Sequence, residues 1–487
     1  MRGIGTTYAS GRPPAAAGAM ARLTTVALLV ALALASCGRS LPPLVERPAG
    51  VPPPTVIRNV AVYDGLADQR TSTRDLLIEH GRIARIAPPG TLARGAGMIM
   101  IDAAGQTVLP GLIDVHGHVG NSPAPSWIGE WPDPKRNLQS YLYCGVTTVL
   151  DPADLATEAF ARRDQVARGE LLGPRIYAAG PMFTTPGGHP VAALEILVPW
   201  WLRWYVVPRL TRQVATPEQA RAAVAALARS RPDVLKVAVD AVPLDGPIMP
   251  ADVLRAIVDE GRARGIRSVA HVGTVADALE AADAGVAAWM HGVYKERIPD
   301  DIVPRFVAAH IPQVATITVF DSYADIYEGR REATALERET APARVLDAFA
   351  AVPASVRPPR YDAFFALLAA TRDARHDNVR RLHAAGVTIL AGSDTQTGVF
   401  PGPGLHRELA ALAAAGLTPA QALRAATGDA ARFVTGSADP EFGTIAVGKI
   451  ADLVLVDGDP TTDITRTTHI THVLVGGAEL VRHPVAP

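Results

Sequence analysis

Between Gly111 and Asp394, eight short β-rich runs alternate with stretches long enough to hold helices. The runs are Gly111–His118, Val146–Asp151, Arg175–Ala179, Val234–Val239, Ser268–Val272, Val286–His291, Gln313–Thr318 and Val387–Asp394. Pro217–Ser230, Ala251–Arg264 and Ala276–Gly285 read as helices between them. Parallel neighbouring strands need such crossovers, so the pattern predicts an α/β protein. Eight units predict a (β/α)8 TIM-like barrel, placed at residues 108–435. A longer insertion, Phe320–Asp377, interrupts the sixth-to-eighth region and reads as helical.

Both flanks are β-rich. Val56–Val62 reads as a strand with a turn at Asp64-Gly65, and Leu76–Ile86 as a hairpin turning at His80-Gly81. Another strand runs through Met98 to Asp102, and all of these are expected to be antiparallel. Beyond a helix at Thr418–Phe433, strand character returns at Gly443-Thr-Ile, Leu453–Val456 and His472–Val475. The economical arrangement is one small β-sandwich domain built from both chain ends, residues 55–107 and 436–487.

Residues 1–37 read as a targeting signal. Met20-Ala-Arg22 is a short basic start, and Leu23–Leu34 is an apolar run too short to span a bilayer comfortably. It ends in Leu34-Ala-Ser-Cys37, which resembles the lipobox of bacterial lipoproteins. That resemblance implies cleavage before Cys37, lipidation of its sulfur, and a periplasmic protein anchored to a membrane. The plainer alternative is an ordinary cleaved signal. Residues 38–54 are Pro-rich and read as an extended tether.

The 487 residues include 48% hydrophobic and 20% charged, enough apolar material for a large core. The formal net charge is -1 and no basic run is present, so no nucleic-acid partner is expected. Two cysteines, Cys37 and Cys144, cannot make a disulfide framework, and Cys144 reads as a small buried hydrophobe.

In an α/β barrel the catalytic groups sit at the C-terminal ends of the strands. The first run ends in His116-Gly-His118, and residues i and i+2 of a strand face the same way, so both imidazoles can reach one metal. Lys236 lies on the fourth run, His271 and His291 end the fifth and sixth, and Asp394 ends the eighth. Each histidine alone is more often structural, but the joint pattern points to a metal site. Imidazole and carboxylate ligands suit zinc, and also manganese, iron or nickel.

These residues sit in recognisable motifs. Val108–His118, Gly145-Val-Thr-Thr-Val149, Gly187-Gly-His189, Ala270-His271, His291-Gly292, Ala391-Gly-Ser-Asp394 and Gly443–Val454 together resemble the amidohydrolase superfamily. The likeness is to its imidazolonepropionase-like branch, which includes prolidase-like Xaa-Pro and Xaa-Arg dipeptidases. The resemblance implies that His116, His118 and Asp394 bind one metal and His271 and His291 a second. It implies two Zn per chain bridged by carbamylated Lys236, because a neutral buried lysine can react with carbon dioxide to give a bidentate anion. Metal-bound hydroxide would attack a metal-polarised carbonyl, with Asp394 as general base and acid. His189 would bind substrate or stabilise an oxyanion, and Tyr294 would contact substrate.

The expected activity is hydrolysis of an amide or peptide C–N bond in a dipeptide, N-acyl amino acid or cyclic amide. The alternatives are a mononuclear ring opener or deaminase, a lactonase or esterase on the same site, and a non-catalytic binding lipoprotein. Homo-oligomerisation is an open possibility. One segment stands apart: Val198–Val207 holds three of the six tryptophans. It reads as a lid, an oligomer contact, a bilayer contact or simply a helix packed on the barrel.

Overall fold

The computed structural model describes residues 41–93, 95–350, 352 and 359–485. The expected signal, the lipobox with Cys37 and the first residues of the tether lie outside them.

The first strands are β1 (Val45–Glu46), β2 (Thr55–Val62), β3 (Arg74–Glu79), β4 (Arg82–Ala87), β5 (Ile99–Asp102) and β6 (Gln106–Pro110). Part of the expected tether is therefore folded. Leu44 and Val45 are buried and Leu44 N–H donates to Gln139 Oε1 at 3.1 Å. Burying one such apolar side chain is worth about 2 kcal/mol, which a solvated tether would forgo. The β3–β4 hairpin turns at His80-Gly81 with φ of 52° and 76°, the two left-handed positions that a tight two-residue turn requires.

Not all of these strands are antiparallel, as the sequence suggested. β2 is antiparallel to β3 but parallel to both β5 and β6. The reason lies at Asn59, φ 58°, where the β2 ladder is interrupted. Residues before it pair with β5, whereas Ala61 and Val62 pair with β6. Asp75 holds the irregularity by accepting from Asn59 N–H at 3.0 Å.

The central strands are β7 (Leu112–Asp114), β8 (Val146–Asp151), β9 (Arg175–Ala178), β10 (Met182–Thr184), β11 (Thr211–Gln213), β12 (Val234–Ala238), β13 (Arg267–His271), β14 (Ala288–Met290), β15 (Gln313–Val314) and β16 (Ile389–Leu390). All are parallel, in the orders β7-β8-β9 and β11-β10-β12-β13-β14-β15-β16. Backbone bonds join the two groups at both ends. Asp233 N–H donates to Ala178 C=O at 2.9 Å, and Val115 N–H to Ala391 C=O at 3.0 Å. β8 and β12 are buried along their whole length, as parallel strands covered on both faces must be.

Each expected run contains a strand, and the first, seventh and eighth are much shorter than expected. Beyond Val314 the chain enters a left-handed residue, Thr316 (φ 47°), and the helix Ile317–Glu328 begins. The eighth run pairs only at Ile389–Leu390 before bending toward Asp394. The small strands β10 and β11 had no counterpart in the sequence reading. The insertion is helical, with Ile317–Glu328, Ala335–Thr340, Ala343–Asp347 and Pro359–Ala370.

The expected single helix Thr418–Phe433 is two, Pro419–Ala425 and Gly428–Thr435. The break frees carbonyls for the strands: Ala425 accepts from Ala391 N–H and Ala426 from Ile113 N–H. Gly443-Thr-Ile is not a strand but a loop, tied by Ile445 N–H to Asp64 C=O.

The last strands are β17 (Leu453–Asp457), β18 (Ile470–Val475), β19 (Ala478–Glu479) and β20 (Val481–Arg482). β17 lies antiparallel between β6 and β18, so both chain ends share one sheet, β19-β18-β17-β6-β2-β3-β4. Ile57, Leu76, Ile83, Val108, Leu453 and Leu474 form its apolar core. β1 pairs with β20.

Candidate metal centre

The ends of β7 and β16 are locked together by a buried carboxylate. Asp114 accepts from His116 N–H at 3.1 Å and from Ser393 N–H at 3.0 Å, and also takes the Ser393 hydroxyl. Burial pushes its pKa up to about 6 against these bonds. Asp394 N–H then donates to His116 C=O at 2.6 Å. Between the two histidines a Cβ on Gly117 would overlap Val149 and the Tyr141 hydroxyl, so only glycine fits.

Asp394 is the hub. Its Oδ1 lies 2.9 Å from His118 Nε2 and 3.6 Å from His116 Nε2, and its Oδ2 3.8 Å from His291 Nδ1. His116, His291 and Asp394 each offer a ligand atom within 4.8 Å of the others. Lys236 Nζ is 3.4 Å from His116 Nε2. The His271 and His291 rings are 4.3 Å apart, and the His189 ring is 4.5 Å from His271. The fold thus brings together the expected site residues in the described chain, Tyr294 included: its ring lies 6.4 Å from those of His271 and His291, its hydroxyl is donated to Asp240, and it stacks on Phe320 at 3.7 Å.

Three non-glycine residues at neighbouring strand ends hold positive φ: His291 (91°), Thr316 (47°) and Asp394 (53°). Such backbone is costly and persists where the surroundings over-determine it, as at functional sites.

The electrostatics suit metal ligation. Burial pushes His116, His271, His291 and His189 well below the usual imidazole value, so all four are neutral donors. Burial would lower His118 too, but Asp151 and Asp394 raise it to about 10. Burial would raise Asp394, yet the hydrogen bond and charge of His118, with a smaller pull from Lys236, hold the carboxyl below its usual range. Burial brings Lys236 down to about 7, and among the described residues it forms no ion pair.

Several ring nitrogens are already assigned. His118 Nδ1 faces Ala153 C=O at 3.1 Å, which leaves its Nε2 toward Asp394, and His291 Nδ1 faces Thr316 Oγ1 at 2.7 Å. His116 Nδ1 and His271 Nε2 are buried without a hydrogen-bond partner, and so is His189 Nδ1. Buried polar atoms are rarely left so, and a donor set of neutral imidazoles around a carboxylate fits a divalent cation.

Three groups escaped the sequence reading. Asp240 lies 3.4 Å from His271 Nε2 and binds the Tyr294 hydroxyl and Lys295 Nζ. Asp151 sits 3.6 Å from His118 Nδ1. Thr316 orients His291. The strand-end rule would have found Asp151 and Thr316, and the two-residue period from Lys236 leads through Ala238 to Asp240.

Residues 107–480 match the Amidohydrolase family. The chain is similar to a putative prolidase from Bifidobacterium longum, 25% identical over 90% of this chain and 96% of that one, with a TM-score of 0.67. It also resembles a Xaa-Pro dipeptidase solved with bound methionine, 22% identical over 88% and 99%, with a TM-score of 0.69. Among curated relatives, adenine deaminase 2 of Shouchella clausii (strain KSM-K16) is 31% identical over 103 residues, 21% of this chain and 16% of the relative. The match thus spans about a sixth of that relative's length.

Proposed function

The chain belongs to the Amidohydrolase family, is an enzyme acting on carbon–nitrogen bonds of small molecules, and from that premise we propose that it is a binuclear hydrolase of dipeptides, N-acyl amino acids or cyclic amides. The carrying observation is Lys236. It is a buried amine that makes no ion pair among the described residues, 3.4 Å from His116, and burial outweighs the charge of Asp394 to bring it down to about 7, so that much of it is neutral at physiological pH. A lysine kept only for structure would be paired. A neutral amine among five metal-type ligands is suited to carbamylation and to bridging two cations.

His116, His118 and Asp394 would hold one ion, His271 and His291 the other, and Lys236 both, with zinc the expected metal. When bound, the ions supply an activated water and polarise the scissile carbonyl. Asp394 is ionised at neutral pH and can take the proton of the attacking water and hand it to the leaving nitrogen. His189, neutral and with a spare nitrogen beside His271, can donate to the substrate oxygen. Tyr294, whose ring lies against His271 and His291, can contact substrate while its hydroxyl donates to Asp240. The neighbours described as a prolidase and a Xaa-Pro dipeptidase support a peptide-like substrate. A panel of dipeptides, N-acyl amino acids, cyclic imides and lactones, run at measured metal content, tests the reading. Inertness across the panel would favour a binding protein, and lactone cleavage alone an esterase-type enzyme.

The local likeness to adenine deaminase favours one rival, a mononuclear deaminase or ring opener. Replacement of Lys236 separates them, since a mononuclear enzyme tolerates it.

The two seam bonds support a closed (β/α)8 barrel at about residues 108–435, and the shared sheet supports a β-sandwich from residues 55–107 and 436–487. The Leu34-Ala-Ser-Cys37 motif supports a periplasmic lipoprotein. Palmitate labelling that survives Cys37→Ser would refute the anchor.

A further inference from the structure

The chain just after His189 breaks the distribution that governs the rest of the surface. Helix Val191–Leu197 ends in Ile196 and Leu197, about half exposed. Trp200 and Trp201 follow at 78% and 52% exposure, and Trp204 stands at 73%. Helix Arg203–Leu210, Arg-Trp-Tyr-Val-Val-Pro-Arg-Leu, has no buried residue. A helix so apolar normally packs against a core or enters a membrane surface. A contiguous patch of exposed tryptophans marks an interaction site.

Charge decides between covers. Residues 196–213 contain no Asp or Glu and carry Arg203, Arg209 and Arg212. Arg203 donates to the carbonyls of Val198 and Glu195, and Arg212 to those of Pro208 and Thr211. Arg209 lies over the Tyr205 ring at 3.8 Å and donates to its carbonyl. Among the described residues, none of the three pairs with a carboxylate. From the neighbouring helix Ala156–Ala167, Glu158 is used by the Tyr205 hydroxyl at 3.1 Å. A second copy related by a two-fold axis would set three arginines against three, with exposed Glu195 at the patch edge as the one adjoining acid in the segment. An anionic lipid surface answers both features, because tryptophan partitions to the headgroup level and arginine forks onto phosphate.

We propose that residues 196–212 form a membrane-docking surface that lies on bilayers with anionic headgroups. This contact is separate from any acyl chain on Cys37 and does not depend on which bond the enzyme cleaves. The full chain carrying Cys37→Ala is mixed with vesicles of phosphatidylcholine alone or with a third of phosphatidylglycerol, with tail-brominated lipid as a quencher of tryptophan emission. Any binding through the leader is common to every variant, so differences between variants report on residues 196–212. Each arginine near an anionic surface adds about fivefold in affinity, so binding should favour anionic vesicles by tenfold or more. Trp200→Ser/Trp201→Ser/Trp204→Ser should remove most of the quenching, leaving Trp127, Trp131 and Trp289 as unquenched references. Arg203→Gln/Arg209→Gln/Arg212→Gln should keep the tryptophans and lose the anionic preference. Absence of quenching in the parent, equal quenching in the tryptophan variant, or lipid-free dimerisation that shields these tryptophans from acrylamide would overturn the proposal.

Discussion

Around Asp394, four histidines and a lysine are packed out of water, while on the segment from Ile196 to Trp204 three tryptophans stand in it. The first region puts polar groups where apolar ones belong, and the second does the reverse. Buried polar groups and exposed apolar patches are the informative departures from ordinary burial, because each costs stability unless something outside the chain compensates. In the strand-end cluster the compensation is a cation, pointed to by ring nitrogens with no partner. On the surface it is a lipid face, pointed to by arginines with no carboxylate. The two regions adjoin in the chain, since helix Val191–Leu197 begins two residues after His189.

The largest expected effect comes from the hub. Asp394→Asn should reduce turnover by about 10²–10⁴, the range for a lost proton-transfer group, in a protein that still folds by circular dichroism. Lys236→Met should lower turnover by about 10²–10³, as loss of one preorganised electrostatic group does, and should reduce metal content by elemental analysis. Activity unchanged in Lys236→Met would dissolve the contrast on its buried side.

Asp240→Asn probes the orientation of His271. A carboxylate behind a ligating histidine typically matters about 10–100-fold in metal affinity, so metal titration should weaken by that factor. The melting temperature should fall as well, because Lys295 loses its buried counter-charge.

A pH effect follows from Lys236 in the metal-free protein. Its folded pKa of about 7 lies below the unfolded value, so between pH 7 and 10 the unfolded chain binds more protons. Stability should therefore rise with pH across that window and be lost as pH falls through 7. Lys236→Met should flatten that component of the melting curve series; an unchanged slope would show that the amine is not desolvated. The smallest effect belongs to the surface. The triple tryptophan variant should hydrolyse soluble substrate within about twofold of the parent, since surface changes away from special features are nearly neutral.

The metal-type residues were legible because strand ends carry chemistry in this architecture, and each of His116, His118, His271, His291 and Asp394 lies at one. Asp240 was not, because an aspartate beyond a strand looks like a loop residue until Tyr294 and Lys295 are seen converging on it. The parallel pairing of β2 with β5 and β6 depends on one left-handed asparagine, which propensity does not signal. The split of Thr418–Phe433 is set by strands that need the carbonyls of Ala425 and Ala426, a tertiary demand absent from the local sequence. The tryptophan segment was legible as unusual, but burial of a helix depends on its neighbours, so its exposure had to come from the structure.

The most direct test of the central claim is the metal content of the active, full chain, measured by elemental analysis alongside turnover as metal is titrated back into stripped protein. The account predicts that full activity coincides with two divalent ions per chain and that Lys236→Met reaches neither. Full activity at one ion per chain, retained when Lys236 is replaced, would contradict it.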